Sequence, residues 1–149
     1  MKRTNPQILR YQKNNLSFWL CMLAIAADVF HFVLLYESRV IAPDINMGVD
    51  IIINIFFLLV VFLASEKSKA HILSWSYTLF ALSAIQILRI FYLPLMYYVS
   101  GKLSVNGFAF SITLLIISSV SLGVAALINL LRSKSLKNYL KDTEKLPKG

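Results

Sequence analysis

Hydrophobic residues in this chain form four long, nearly unbroken runs that are separated by short polar stretches. The runs cover residues 16–36, 49–65, 70–99 and 107–131. A helix needs roughly 20 predominantly apolar residues to cross the hydrocarbon core of a bilayer, and each run reaches or approaches that length. The apolar residues are continuous and do not alternate with polar ones, which argues against strands. The pattern predicts an all-α, polytopic membrane protein with four transmembrane helices.

The composition agrees with this fold class. Of the 149 residues, 58% are hydrophobic and 15% are charged, whereas a soluble domain has about 45–50% apolar and about 25% charged residues. Disorder and an ordinary soluble enzyme fold are therefore disfavoured. We divide the chain into a basic N-terminal segment (1–15), a four-helix transmembrane domain (16–131) and a basic tail (132–149). The tail is expected either to lie on the membrane surface as an amphipathic helix or to continue the fourth span.

The basic residues predict the orientation in the membrane, because Lys and Arg next to spans keep loops on the cytoplasmic side. The net charge of +8 is concentrated on one side of the predicted spans. The residues on that side are Lys2, Arg3, Arg10, Lys13, Lys67, Lys69, Arg132, Lys134, Lys137, Lys141, Lys145 and Lys148. The opposite loops contain only Arg39 and Lys102. Both termini are therefore predicted to be cytoplasmic, and topology accounts for the charge without nucleic-acid binding. We expect a bacterial plasma membrane, with the first span retained as a signal anchor.

Several polar side chains interrupt the apolar runs, and such residues inside a membrane are costly enough to be functional candidates. They are Asp28 and His31 in the first span, Asp50 and Asn54 in the second, and Gln86 and Arg89 in the third. Each pair is three or four residues apart and so shares one helix face. Counted from the span edges, Asp28 is near the midplane and His31 is about one turn farther out. Asp50, Asn54 and Arg89 are in the outer third, so three helices contribute polar groups to one layer.

Three interpretations of this region remain open. In the first, Arg89 pairs with Asp50 or Asp28, and the neutral polar side chains satisfy the remaining hydrogen bonds in a structural network. In the second, Asp28 is the centre of a proton- or cation-binding site with His31 as a relay. In the third, the polar groups extend to the outer surface.

As a four-helix chain with a carboxylate in its first span, Asp28, this protein resembles the small multidrug exporters in architecture. That resemblance implies one membrane carboxylate at the position of Asp28 and a dimeric protein. The chain departs from the family because the exporters use Glu, are shorter and lack an Arg in the third span. Their binding site is therefore not transferred to this sequence.

The fourth span contains small residues four positions apart, Ser119 with Gly123 and Ser121 with Ala125. Small side chains at this spacing let two helix backbones approach closely. The pairs predict either packing within the bundle or an interface with another subunit.

The sequence contains no recognisable catalytic or cofactor motif. Cys21 is the only cysteine, and the predicted topology places His31 and His71 on opposite sides of the membrane, so no metal site is expected. The loops, such as residues 37–48, are too short to form a soluble catalytic domain. The chain is therefore predicted not to be an enzyme and to need no cofactor.

The favoured hypothesis for function is a non-catalytic accessory subunit of a larger membrane complex, with a transporter as the favoured kind of complex. Its expected partners are membrane lipid and either another integral membrane protein or a second copy of the chain. The alternative is a small homo-oligomeric ion- or proton-coupled transporter that uses Asp28. A third, weaker hypothesis is a protein that acts on or binds lipid at the inner leaflet through its tail.

Overall fold

The part of the chain that the structure describes folds into four long helices. The computed structural model describes residues 14–37, 45–69, 72–101 and 103–144. Helix α1 is Asn15–Glu37, α2 is Ile45–Ser68, α3 is Leu73–Val99 and α4 is Val105–Glu144. These described ranges contain no strand, and all four helices are long and apolar enough to span a membrane. The prediction of an all-helical chain with four such helices is confirmed.

Helices that pack against each other run in opposite directions. In α2 and α3, for example, Asp50 contacts Tyr97, whereas Asn54, farther along α2, contacts the earlier Arg89. Ser17 at the start of α1 contacts Ala125 late in α4, whereas Asp28 farther along α1 contacts the earlier Ser118. Helix α4 packs most extensively against α3 and α1, and α2 packs against α1 and more sparsely against α3. The arrangement is an up-and-down bundle in which α2 and α3 have the loosest contact between neighbouring helices.

Small side chains form much of the bundle core. Cys21 and Ala24 of α1, and Ala125 and Ala126 of α4, are fully buried beside Leu122. Small residues bring helix backbones close together, and interhelical hydrogen bonds can then reach main-chain carbonyls. Ser17 Oγ, for example, donates to the carbonyl of Ala125 over 3.0 Å.

The turn between α3 and α4 is tight. Gly101 has a φ of 68°, in the left-handed region that glycine adopts without steric cost. Its amide donates to the carbonyl of Tyr98, and the amide of Leu103 donates to that of Tyr97. These bonds satisfy carbonyls at the end of α3.

Helix α4 is 40 residues long and continues past the predicted end of the fourth span at residue 131. The residues from 132 to 144 contain no Gly or Pro, so nothing in that stretch interrupts helix formation. The part of the tail up to Glu144 is therefore a continuation of the fourth helix. Several predictions concern residues outside the described ranges: the roles of Lys2, Arg3, Arg10, Lys13, Arg39, His71, Lys102, Lys145 and Lys148.

Candidate functional site

Three buried side chains from three helices form the centre of the polar site. The Gln86 amide donates from Nε2 to Asp28 Oδ1 and, over 2.9 Å, to Ser118 Oγ. The Ser118 hydroxyl donates to Asp28 Oδ2 over 3.0 Å. Gln86 and Ser118 are fully buried and Asp28 is 5% exposed. Both carboxylate oxygens of Asp28 therefore accept hydrogen bonds, and the triangle joins α1, α3 and α4.

Arg89 extends this triangle to α2. Its Nη1 donates to Gln86 Oε1 over 2.9 Å, and its Nη2 donates to Asn54 Oδ1. The guanidinium carbon lies 5.1 Å from the centre of the Phe57 ring, which is within the range of a cation–π contact. All four helices are thus connected by side chains in one region, which makes this the main candidate site.

The expected ion pair between Arg89 and Asp28 or Asp50 is not formed. Within the described ranges, the one ion pair closer than 4.0 Å joins Lys69 and Glu66 over 2.8 Å. Gln86 is one turn before Arg89 on α3, and its amide both donates and accepts, so it lies between the guanidinium and the Asp28 carboxylate. The interpretation that Arg89 pairs directly with a carboxylate was wrong. The neutral amide of Gln86 connects Arg89 to Asp28 instead.

A second group of polar side chains lies one turn away along α2. Asn54 Nδ2 donates to the main-chain carbonyl of Asp50 over 2.9 Å, and Tyr97 Oη donates to Asp50 Oδ2 over 3.1 Å. Tyr97 belongs to α3, so this group is a second connection between α2 and α3. Asp50 and Asn54 are therefore both in the region that the sequence predicted, and Tyr97 is an additional member.

His31 is in the interior but does not take part in these hydrogen bonds. Its side chain is 1% exposed, and its Nε2 has no hydrogen-bond partner. Helices α1 and α3 are both antiparallel to α4 and so run in the same direction. Asp28 contacts Gln86. His31 and Arg89 each follow three positions farther along their helices, so they lie at about the same level in the bundle. The expectation that His31 satisfies part of the network is not met at Nε2.

Ser118 and Tyr97 are members of the site that sequence reasoning missed. Ser118 lies in a run of small residues of the fourth span, Tyr97 lies near the end of the third apolar run, and neither was counted among the polar candidates. A hydroxyl at the depth of a buried carboxylate on a neighbouring span is the signal that would have identified Ser118.

A cleft lies beside this network, between α2 and α3. Its volume is about 220 Å³. Its lining residues are Asp50, Ile53, Asn54, Ile85, Arg89, Tyr92 and Leu93. Ile53 and Tyr92 are more than half exposed, so the cleft reaches the outer surface of the bundle. It brings two of the predicted charged residues, Asp50 and Arg89, to one accessible space.

The small residues of α4 pack inside the bundle. The Ser119 and Ser83 hydroxyls each donate to the other residue's carbonyl, over 3.3 and 3.0 Å. A Cβ at Gly123 would lie 3.2 Å from Ser83 Oγ, and Ala125 receives the bond from α1 described above. Ser121 is 6% exposed. Of the two interpretations of this motif, the contacts support packing between α4 and its neighbours.

Within the described ranges, no group of three or more His, Cys, Asp or Glu side chains is arranged to hold a metal ion. No protein-family model, curated protein or solved structure matches this chain. The class of protein is therefore defined by its own fold and site, as an all-helical bundle with a buried polar network that connects its four helices.

Proposed function

We propose that this chain is an integral membrane protein that acts as a non-catalytic accessory subunit of a larger membrane complex, with a transporter as the favoured kind of complex. Both termini would be cytoplasmic and the host membrane a bacterial plasma membrane. The observation that carries the proposal is the polar network, in which Asp28, Gln86, Ser118, Arg89 and Asn54 bond to one another across all four helices.

The outer surface of the bundle supports insertion in a membrane. Large apolar side chains are exposed on every helix, including Phe30, Phe56, Leu88, Phe91 and Val120, which are each more than half exposed. Contact of so much apolar surface with water would be costly, whereas lipid tails provide an apolar environment. An apolar exterior around a polar centre is the arrangement expected of a protein in a bilayer.

The distribution of charge supports cytoplasmic termini. Lys67 and Lys69 are at the end of α2, and Arg132, Lys134 and Lys137 follow the apolar part of α4. Because consecutive helices are antiparallel, these two ends are on the same side of the bundle, as the positive-inside rule requires of a cytoplasmic face.

The orientation can be tested with single cysteines in intact cells. Cys21 is fully buried, so the unmodified chain should not be labelled and serves as the negative control. Ser100 and Lys137 are exposed at opposite ends of the bundle. With a membrane-impermeant maleimide, we expect Ser100→Cys to be labelled and Lys137→Cys to be labelled only after the cells are opened. The reverse pattern would contradict the proposed orientation.

The hydrogen bonds of Asp28 support a structural role for the network. A carboxylate that couples transport must exchange a proton or an ion during the cycle. Both oxygens of Asp28 instead accept bonds from Gln86 and Ser118, and the charge of Arg89 is connected through the same amide. An interaction of this type fixes which helices touch and in what register.

The subunit hypothesis is tested by the composition of the native particle. The chain is tagged at its C-terminus, the host membrane is solubilised in a mild detergent, and the mass and composition of the purified particle are measured. We expect a larger membrane protein in a fixed molar ratio, with loss of that protein's activity when this chain is deleted. A particle that contains only copies of this chain would overturn the proposal.

The second candidate function is a small homo-oligomeric transporter for ions or protons that uses Asp28. Two observations favour it: the unpartnered Nε2 of His31 at the level of Arg89, and the cleft that reaches Arg89 from the surface. In this case Asp28→Asn should abolish transport while the protein still accumulates. The matched control is Ser118→Ala, which removes the hydroxyl that accepts from Gln86 and donates to Asp28. It keeps the carboxylate and should retain transport. Failure of Asp28→Asn to accumulate would support the structural role instead.

A further inference from the structure

The cleft between α2 and α3 contains two opposite charges that do not contact each other. Arg89 and Asp50 both line it, yet they do not form an ion pair within 4.0 Å. The described hydrogen bonds of Arg89 end on the neutral amide oxygens of Gln86 and Asn54. Asp50 accepts a bond from the Tyr97 hydroxyl on Oδ2. Among the residues that the structure describes, neither charge has an opposite charge in direct contact, and both are accessible from one space.

The rest of the cleft wall is apolar. Ile53 of α2 and Ile85 and Leu93 of α3 line it together with the two charges, and Tyr92 adds an aromatic ring. A ligand that fits this wall would have an apolar part as well as polar groups. The volume of about 220 Å³ corresponds to about seven water molecules at roughly 30 Å³ each, which is room for a group of the size of an amino acid.

We propose that this cleft is a binding site for a zwitterion. The anionic group of the ligand would contact Arg89, its ammonium group would contact Asp50, and its apolar part would pack against Ile53, Ile85 and Leu93. A cation or an anion alone would pair with one charge, be repelled by the other, and add a net charge to an apolar environment. A zwitterion supplies an opposite charge to both residues and adds no net charge.

This chemistry has two possible sources, a free amino acid with an apolar side chain and a phosphoethanolamine lipid head group. They are distinguished with the full chain purified in detergent, by following its thermal unfolding at increasing ligand concentration. One arm compares leucine with 4-methylpentanoate, which lacks the ammonium, and with leucine methyl ester, which lacks the carboxylate. The other arm compares dioleoylphosphatidylethanolamine with the anionic dioleoylphosphatidylglycerol and with a cationic dioleoyl trimethylammonium lipid.

We expect the zwitterion in one of the arms to bind at least about tenfold more tightly than both of its singly charged analogues, since each analogue loses one charge contact. Preference in the leucine arm identifies a free solute as the source, and preference in the lipid arm identifies a head group. If neither zwitterion binds more tightly than its analogues, the proposal is overturned.

Variants at the two charges provide the second part of the test. Asp50→Asn keeps an acceptor for Tyr97 and should weaken zwitterion binding about tenfold, while binding of the analogue without an ammonium stays unchanged or improves. The control is Glu66→Gln, which alters an exposed carboxylate outside the cleft and should bind as the unmodified chain does. Unchanged zwitterion binding by a folded Asp50→Asn variant would also overturn the proposal. The assay uses the isolated chain, so its outcome is independent of whether the chain is an accessory subunit.

Discussion

The two interfaces of α3 are built from different chemistry. Against α4, Ser83 and Ser119 exchange hydroxyl-to-carbonyl hydrogen bonds, and Gly123 lies close to Ser83 Oγ. Against α2, the contact depends on the long side chains of Arg89 and Tyr97, which reach Asn54 and Asp50, and a cleft remains between the helices. One face of α3 is closed by small residues, and the other is spanned by charged and aromatic ones.

This difference shows how a bundle can contain charges without placing them in direct pairs. Small residues allow backbones to approach, so the α3–α4 interface leaves little space for a guanidinium. Arg89 and Asp50 are instead at the looser interface, where long side chains fit. Gln86 faces both environments, since it bonds to Ser118 of α4 and to Arg89 on its own helix. It is the residue on which the two halves of the network depend.

The largest effect is therefore expected from Gln86→Leu. The change removes the bonds to Asp28 and Ser118 and the acceptor for Arg89, and leaves a buried carboxylate with one donor. Breaking a buried charge network in this way should lower the free energy of unfolding by about 3 kcal/mol or more. The measurement is unfolding in mixed detergent micelles, followed by circular dichroism.

A matched control for this change is Ile87→Leu, the adjacent residue of the same helix, whose side chain is about half exposed. It should change the free energy of unfolding by less than about 0.5 kcal/mol. Similar losses for the two variants would mean that the Gln86 bonds do not hold the helices together.

The second largest effect is expected at Arg89, where two double-mutant cycles compare Asn54 with Asp50 as its partner. Arg89→Leu alone should reduce the amount of folded protein, because Gln86 Oε1 and Asn54 Oδ1 lose their donor. A double-mutant cycle of Arg89→Leu with Asn54→Leu should give a coupling energy of about 1 kcal/mol. The same cycle with Asp50→Leu should give a smaller value, since Asp50 is outside ion-pair distance. Equal coupling in the two cycles would restore the interpretation of a direct pair between Arg89 and Asp50.

The helical architecture could be predicted from the sequence because one property decides it. Apolar runs as long as a bilayer crossing specify four helices, and residues such as Leu88 and Phe91 need no specific partner to belong to one. The end of α4 was harder to predict from the sequence, because hydropathy falls after residue 131 whereas helix propensity does not. A helix boundary and a membrane boundary are different quantities, and the sequence pattern reports mainly the second.

The site could be predicted in part for a related reason. The cost of polar groups in an apolar environment identified Asp28, Asn54 and Arg89 individually. The partners of each group depend on helix rotation and on which interface is tight, and spacing within one helix does not determine either. Charge alone therefore favoured a pair between Arg89 and a carboxylate, whereas the side-chain geometry places Gln86 between them.

The closed interface itself is tested by comparing two glycines. A Cβ at Gly123 would lie 3.2 Å from Ser83 Oγ, whereas a Cβ at Gly48 in α2 would meet nothing within 4 Å. Gly123→Leu should therefore separate α3 from α4 and lower the free energy of unfolding by about 2 kcal/mol. Gly48→Leu should be neutral or slightly stabilising, because Leu has the higher helix propensity. If Gly123→Leu is tolerated as well as Gly48→Leu, close approach at Gly123 is not what distinguishes the α4 face of α3 from its α2 face.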